Sequence, residues 1–150
     1  HISYGDIEHI LPKNRDARPD LYVEWANLTL SCEQCNRSGK RTYYNPKLSL
    51  VNPYTDAPED FLHDIGPLVM PIPGNDRAIV TEKVLKLNRS TLVERRTERI
   101  MMVEILLQSW AKEKNATIKD LLSDQLQDKE FSSTVKSFLK ANGFPVKDVS

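Results

Sequence analysis

Apolar residues recur at three- and four-residue intervals through residues 88–150, which is the spacing of one face of an α-helix. The first helix is predicted to begin near Thr91, because Thr91 and Glu94 have the S/T-x-x-E form of a capping box, with Asn88 as the alternative cap. Two shorter helices follow, the last of them over residues 130–142. This part of the chain is therefore predicted to be helical.

The first of these helices is apolar around much of its circumference between Ile100 and Leu107. An apolar stripe on a helix more commonly belongs to a core than to a groove for a partner. The stripe consists of Met101, Met102, Ile105 and Leu106. The pattern predicts a packed bundle in which this helix is covered on two sides, either within its own domain or by another chain.

Residues 51–87 are interrupted by proline and other turn residues, with only short apolar pieces between them. These pieces lie at residues 61–62, 68–70 and 78–80. Short apolar runs bounded by turn residues are typical of strands or extended connections. We therefore predict a turn-rich connecting region with short strands.

Residues 1–50 contain two short apolar pieces, one around Glu8 and one over residues 25–30, that are predicted to be strands. Two of the three histidines, both cysteines and a run of basic residues also lie here. Strands in one part of a chain and helices in another indicate an α+β fold. The predicted regions are residues 1–50, 51–87 and 88–150.

The composition narrows the class of protein. The 21 basic and 21 acidic residues give a formal net charge of zero, which excludes a uniformly basic nucleic-acid binder but allows a local basic site. With 39% hydrophobic and 28% charged residues, the chain is expected to fold rather than to be disordered. Its apolar runs fall far short of the roughly 20 residues of a membrane span. Because the first residue is His1 rather than methionine, we expect a fragment cut at its N-terminus.

Four features that carry chemistry lie close together in residues 1–50. Glu8 directly precedes His9, Asn27 lies in the second apolar piece, and Cys32 and Cys35 are spaced C-x-x-C before a basic stretch. Taken singly, each has an ordinary structural explanation: a core histidine, a solvated carboxylate, a chance pair of thiols or a solvated basic face. Their order and spacing together are much more specific.

The sequence resembles the HNH, or ββα-metal, nuclease motif at Glu8-His9 with Pro12 downstream, at Asn27-Leu28, and at Cys32-x-x-Cys35-Asn36 followed by Lys40. The resemblance implies two antiparallel strands and a helix around one divalent cation. It also implies hydrolysis of phosphodiester bonds, which needs a base that works near neutral pH, and histidine is suited to this.

The resemblance assigns a role to each residue of the motif. Glu8 binds the cation, His9 is the general base, and Asn27 braces the loop that carries the histidine. Asn36 is the second ligand, at a position where the family often has histidine. Because Glu8 and Asn36 both offer oxygen, Mg²⁺ or Mn²⁺ is expected in preference to Zn²⁺. Neighbours on a regular strand point to opposite faces, so a twist or bulge is expected at Glu8 and His9.

Basic residues around the motif are expected to contact backbone phosphates of the substrate. They are Lys13, Arg37, Lys40 and Arg41.

Cys32 and Cys35 are more consistent with a metal or redox role than with a structural disulfide. In the family, a structural zinc is often bound by two C-x-x-C pairs, and these cysteines match the second pair. Because tetrahedral zinc needs four ligands, we expect another C-x-x-C within about 20 residues before His1. Without such a pair, Cys32 and Cys35 are ordinary thiols.

Further signals narrow the resemblance to the PtuB-like HNH nucleases of Septu and retron anti-phage systems. They lie at residues 7–13, 24–32, 50–53, 58–60 and 87–89. The resemblance implies a cytoplasmic bacterial effector nuclease that acts on DNA, with RNA not excluded, and that does not bind membranes. It also implies an SMC- or ABC-type ATPase as partner, in some systems with a reverse transcriptase and its DNA. The helical region is then the candidate docking surface.

Two other functions fit the same residues. One is a zinc-knuckle module that binds nucleic acid or an ATPase and has a vestigial HNH site. The other is a restriction or recombination nuclease that acts without an ATPase. Retention of the carboxylate, the imidazole and the terminal amide favours an enzyme over a vestigial site.

Overall fold

The computed structural model describes residues 5–13, 19–127 and 129–146, and these residues divide into two compact units. The first unit comprises the chain up to residue 62 together with residues 71–87, and the second comprises residues 63–70 and the chain from residue 88. Strands and helices occupy largely separate stretches of the chain. The predicted α+β fold class is confirmed.

The first unit begins with an antiparallel pair of strands, β1 (Asp6–His9) and β2 (Leu28–Ser31). The register is continuous from Asp6 opposite Ser31 to His9 opposite Leu28. The second strand is shorter than predicted, because residues 25–27 form a 3₁₀ turn before it. The paired strands place Glu8 in the interior, where it is 8% exposed.

A helical segment with wide, π-type turns, Gln34–Lys40, follows β2 and packs near the end of helix α1 (Asp76–Leu85). Gly39 permits this contact, since a Cβ atom built there would lie 2.7 Å from the Val84 carbonyl oxygen. Real Cβ atoms essentially never approach backbone oxygen so closely. The glycine therefore lets the segment lie directly against α1.

The prediction of an extended piece at residues 78–80 is wrong, because these residues lie inside α1. Asn75 caps the helix, its side-chain oxygen accepting a hydrogen bond from the Ala78 backbone N–H. Ala78 and Thr81, three positions apart, are both buried on the same side of the helix. The preceding turn residues therefore do not make this segment extended; its buried face and its cap favour a helix.

A short hairpin joins β3 (Leu62–Ile65) to β4 (Leu68–Pro71), which confirms the predicted strand at residues 68–70. Its two-residue turn begins at Gly66, whose φ of 56° lies in the left-handed region that favours glycine. Residues 63–70 of the hairpin belong to the second unit.

Three helices complete the second unit: α2 (Ser90–Glu113), α3 (Ala116–Asp124) and α4 (Ser132–Ala141). The predicted cap of α2 is wrong, because the helix begins one residue before Thr91 and its cap position makes no side-chain hydrogen bond. Asn88 instead bonds the Val69 backbone, donating to its carbonyl at 2.7 Å and accepting from its N–H at 2.9 Å.

The core of the second unit is apolar and is contributed by all three helices and the chain after α4. Its buried members are Val103, Leu107, Leu122, Val135, Leu139 and Phe144. Leu106 packs against this core, but the rest of the predicted stripe is exposed: Met101 by 60%, Met102 by 63% and Ile105 by 67%. The prediction that those three residues are buried within the chain is therefore wrong. That they are covered by another chain stays a prediction. None of the described helices combines the length and the apolar content that crossing a membrane requires.

Candidate functional site

The face of β1 that meets the helical segment carries two carboxylates, because residues two apart on a strand point the same way. Asp6 lies beside Asn36 and Arg37, and its Oδ2 atom accepts from Asn36 Nδ2 at 3.5 Å and from Arg37 Nε at 3.2 Å. Glu8 lies beside Lys40. The two strand acids thus face three residues of the helical segment, two of them beside Asp6 and one beside Glu8.

Glu8 and Lys40 form a buried ion pair, with their side chains 10% and 8% exposed. Lys40 Nζ donates to Glu8 Oε1 at 2.7 Å and also to the backbone carbonyl of His9 at 2.7 Å. Desolvation offsets much of the attraction in such a pair, but removing one partner leaves an uncompensated buried charge. The pair therefore fixes geometry more than it adds stability.

His9 is the last residue of β1 and is half-buried. Its Nε2 lies 3.2 Å from the carbonyl oxygen of Tyr22, and the two rings meet edge to face with centroids 6.3 Å apart. A carbonyl oxygen only accepts, so Nε2 must carry the proton in this contact. In the neutral ring the lone pair is then on Nδ1, which is the nitrogen that can take a proton.

Asn27 ties together the two ends of the loop between β1 and β2. Its Oδ1 accepts from Leu11 N–H at 2.7 Å, and its Nδ2 donates to the carbonyls of Leu11 at 3.1 Å and Leu21 at 3.2 Å. Its backbone carbonyl accepts from Ile10 N–H. Asn27 is only 4% exposed. It thus fixes the residues that follow His9 and also Leu21, the residue before Tyr22. The Tyr22 carbonyl is the group that contacts the imidazole.

Of the twist or bulge expected at Glu8 and His9, the bulge is absent, because the strand pairing runs without interruption through both residues. Their side chains consequently leave opposite faces of β1. His9 is nevertheless the last paired residue, at the point where the strand passes into the loop braced by Asn27.

The four residues predicted to contact phosphate differ from one another in exposure and in their contacts. Arg37 and Arg41 are exposed, and Lys13 lies with its ammonium 5.0 Å from the centre of the Tyr22 ring. Lys40 is 7% exposed and is engaged with Glu8 and His9. As placed, its ammonium is not presented to a substrate.

The donor atoms on the strand–helix face suit a hard cation, since Asp6, Glu8 and Asn36 offer oxygen only. In residues 5–13, 19–127 and 129–146, no three histidine, cysteine, aspartate or glutamate side chains are grouped to hold a metal ion. A Mg²⁺ or Mn²⁺ ion at Glu8 and Asn36 would therefore complete its shell with water or substrate, as Mg²⁺ commonly does.

Cys32 and Cys35 are half-buried thiols, the first just before the helical segment and the second within its first turn. The Cys35 backbone N–H donates to Cys32 Sγ at 3.4 Å, and Cys35 Sγ donates to the Leu85 carbonyl at 3.7 Å. Both cysteines line a cavity of about 320 Å³, whose wall also includes Glu8 and Lys40. Two thiolates are half of the four ligands that a tetrahedral zinc ion needs.

Arg77 and Asp56 organise the segment that forms another side of this cavity. Arg77 Nη2 donates to Asp56 Oδ2 at 2.7 Å, and Arg77 also donates to the carbonyls of Ser49 and Leu50. The hydrogen bond from Arg77, with a further one from the Asn52 backbone, holds the pKa of Asp56 below its usual value of 3.8.

Two residues of the site, Asp6 and Tyr22, were not predicted from the sequence. Alternation along β1 places Asp6 on the same face as Glu8, so its position in the site could have been predicted. Nothing in the sequence indicated that the Tyr22 carbonyl would meet His9, because that contact depends on the path of the loop.

Comparison with known proteins gives two curated relatives. Septu protein PtuB of Bacillus thuringiensis is 41% identical over 59 residues, which cover 39% of this chain and 22% of that protein. Septu protein PtuB of Bacillus mycoides (strain KBAB4) is 28% identical over a match that covers 95% of this chain and 58% of that protein. The matched part of the chain thus spans between about one fifth and slightly more than half of the length of these relatives. No family model and no solved structure matches. The predicted resemblance to the PtuB proteins of Septu systems is confirmed.

Proposed function

We propose that this chain is the nuclease of a Septu-type anti-phage defence system and hydrolyses phosphodiester bonds of DNA. The relatives are named as Septu proteins, which supports a role in defence. The observation that carries the chemistry is the fixed imidazole of His9, with its Nε2 against the Tyr22 carbonyl and its loop braced by Asn27. Such fixation is what a general base requires.

In the proposed reaction, His9 Nδ1 takes a proton from a water molecule as the water oxygen bonds to phosphorus. The bond from phosphorus to the 3′ oxygen of the substrate breaks, and that oxygen leaves with a proton from solvent. Bound by Glu8 and Asn36, a Mg²⁺ or Mn²⁺ ion would supply stabilisation of the charge that develops on the phosphate and the leaving oxygen. The Tyr22 carbonyl holds the imidazole during the transfer, and Asn27 holds the loop that follows His9.

Substrate binding is assigned to the exposed basic residues Arg37 and Arg41 on the helical side and to Lys13 on the loop side. Because the chain has no net charge, these local contacts or a partner must supply the attraction for DNA. RNA is the alternative substrate, bound through the same contacts.

The partner that we propose is an SMC- or ABC-type ATPase, in some systems together with a reverse transcriptase and its DNA. The exposed apolar residues of α2, Met101, Met102 and Ile105, are the docking surface that we assign to the ATPase. A structural zinc at Cys32 and Cys35 is proposed with two further cysteines from upstream sequence.

The proposal is tested by cleavage of supercoiled plasmid with Mg²⁺ or Mn²⁺, by the protein alone and with its ATPase. We expect His9→Ala to slow cleavage by about 10²- to 10⁴-fold, the usual contribution of a general base. His63→Ala is the matched control, because His63 is an exposed histidine of the second unit, and it should cut at the wild-type rate. Undiminished cleavage by His9→Ala would remove the assignment.

One observation favours a binding module instead, namely that the Glu8 carboxylate is already neutralised by Lys40. A zinc-knuckle module with a vestigial site would bind DNA or the ATPase without cutting. Binding of plasmid with no metal-dependent nicking, by wild type and His9→Ala alike, would favour this function.

A further inference from the structure

Lys40 lies in an unusual setting for a lysine. It is 7% exposed, whereas lysine side chains are almost never fully buried unless they are paired. Its ammonium makes two short bonds, to Glu8 and to the His9 carbonyl. A lysine that contacts phosphate normally extends into solvent, as the neighbouring Arg37 and Arg41 do here.

The backbone that carries Lys40 is held close to α1. A Cβ atom on Gly39, the preceding residue, would lie 2.7 Å from the Val84 carbonyl oxygen and 3.1 Å from that of Gln34. The absence of a side chain at Gly39 thus lets the end of the helical segment sit against α1. The position of the Lys40 ammonium is consequently constrained by the path of the backbone as well as by its two hydrogen bonds.

The hydrogen bonds of Lys40 belong to a continuous series of hydrogen bonds that fix the chain from Glu8 to Leu11. Lys40 holds the Glu8 side chain and the His9 carbonyl. Asn27 then holds Ile10 through its N–H and Leu11 through both backbone groups. Four successive residues are therefore fixed by two buried residues from other parts of the first unit, Lys40 through its ammonium and Asn27 through its side chain and its backbone carbonyl.

We infer that Lys40 is a positioning residue that fixes the Glu8 carboxylate and the His9 backbone, and that it weakens cation binding by competing for the same carboxylate. This inference rests on the proposed nuclease function. Lys40 occupies Oε1 of Glu8 and leaves the other oxygen for a divalent cation. Two cations on one carboxylate repel each other, so the lysine lowers the affinity of the site while it holds the geometry.

The test combines Mn²⁺ binding, measured by calorimetry without substrate, with cleavage rates at saturating Mn²⁺. Lys40→Met keeps the length of the side chain and removes the charge. We expect it to bind Mn²⁺ at least about tenfold more tightly, because a nearby unit charge is lost. We expect it to cut about 10- to 100-fold more slowly, the usual cost of losing the support of a ligand.

Two further variants make the result decisive. Lys47→Met removes an exposed lysine of the same unit and should match wild type in both measurements. Lys40→Arg keeps the charge and covers the case in which Lys40→Met does not fold. It should bind Mn²⁺ within about threefold of wild type but cut at least about tenfold more slowly, because the guanidinium cannot reproduce the contacts of an ammonium.

Either of two results overturns the inference. One is a wild-type cleavage rate for the folded Lys40 variants. The other is a parallel loss of Mn²⁺ affinity and rate in Lys40→Met, which is what a lysine needed only for folding would produce. If wild type itself neither binds Mn²⁺ nor cuts DNA, the proposed function fails, which is a different result from failure of this inference alone.

Discussion

The two units of the chain bury different kinds of residue. In the first unit the buried side chains include Glu8, Asn27, Lys40 and Thr81, each of which bonds to backbone or to another side chain. Among its described residues, the second unit buries six apolar side chains in one cluster, with Arg96 and Thr134 as the buried polar residues. Directional bonds are thus more prominent among the buried residues of the first unit, and apolar packing among those of the second.

The difference shows why the candidate chemistry lies in the first unit. Apolar packing tolerates small shifts of side chains, whereas a hydrogen bond is lost when its atoms move by less than an ångström. A catalytic group has to be held within about 0.5 Å, so a network of buried bonds is a suitable support for it. The second unit offers a stable scaffold and an exposed apolar helix face.

The largest effect on stability is expected from a cavity in the second unit. Leu122 is fully buried, and Leu122→Ala should lower the free energy of unfolding by about 2–5 kcal/mol. Leu121, its neighbour on α3, is 47% exposed, so Leu121→Ala is the matched control with a much smaller loss. Urea unfolding measures both. Equal losses would contradict the assignment of the core, and the folded Leu122→Ala protein should keep its cleavage rate.

A smaller loss of stability with a larger loss of activity is expected from the first unit. Asn27→Ala removes three side-chain hydrogen bonds and should cost about 2–3 kcal/mol, because buried backbone groups lose their partners. Asn27→Asp keeps the acceptor for Leu11 but buries a carboxylate whose second oxygen faces the Leu11 and Leu21 carbonyls, so it should cost at least as much as Asn27→Ala. Cleavage should fall in the same order at temperatures where all three are folded. Unchanged cleavage by Asn27→Ala would show that the loop needs no brace.

The smallest effect is expected at the edge of the cavity and depends on pH. Because the pKa of Asp56 is lower in the folded protein than its usual 3.8, its ionised form stabilises the fold above that pH. Asp56→Asn should therefore cost about 1–3 kcal/mol at neutral pH, since Asp56 accepts a charged hydrogen bond from Arg77. The difference from wild type should shrink as the pH falls below 3.8. A difference that is constant with pH would contradict the ion pair.

The extent to which the structure could be predicted differs along the chain. Spacing of apolar residues predicted α2, α3 and α4, and alternation predicted β1, since these patterns are local. Helix α1 was missed because its cap residue, Asn75, follows proline and glycine, which suggested turns. The roles of Lys40 and Tyr22 could not be predicted, because both depend on contacts between residues far apart in sequence.

The most direct test of the central claim is the anomalous diffraction of Mn²⁺ in crystals of this protein. We expect a Mn²⁺ peak within coordination distance, about 2.0–2.6 Å, of oxygens from both Glu8 and Asn36. A peak bound only at Cys32 and Cys35, or a Glu8 carboxylate that stays paired with Lys40 alone at saturating Mn²⁺, would contradict it.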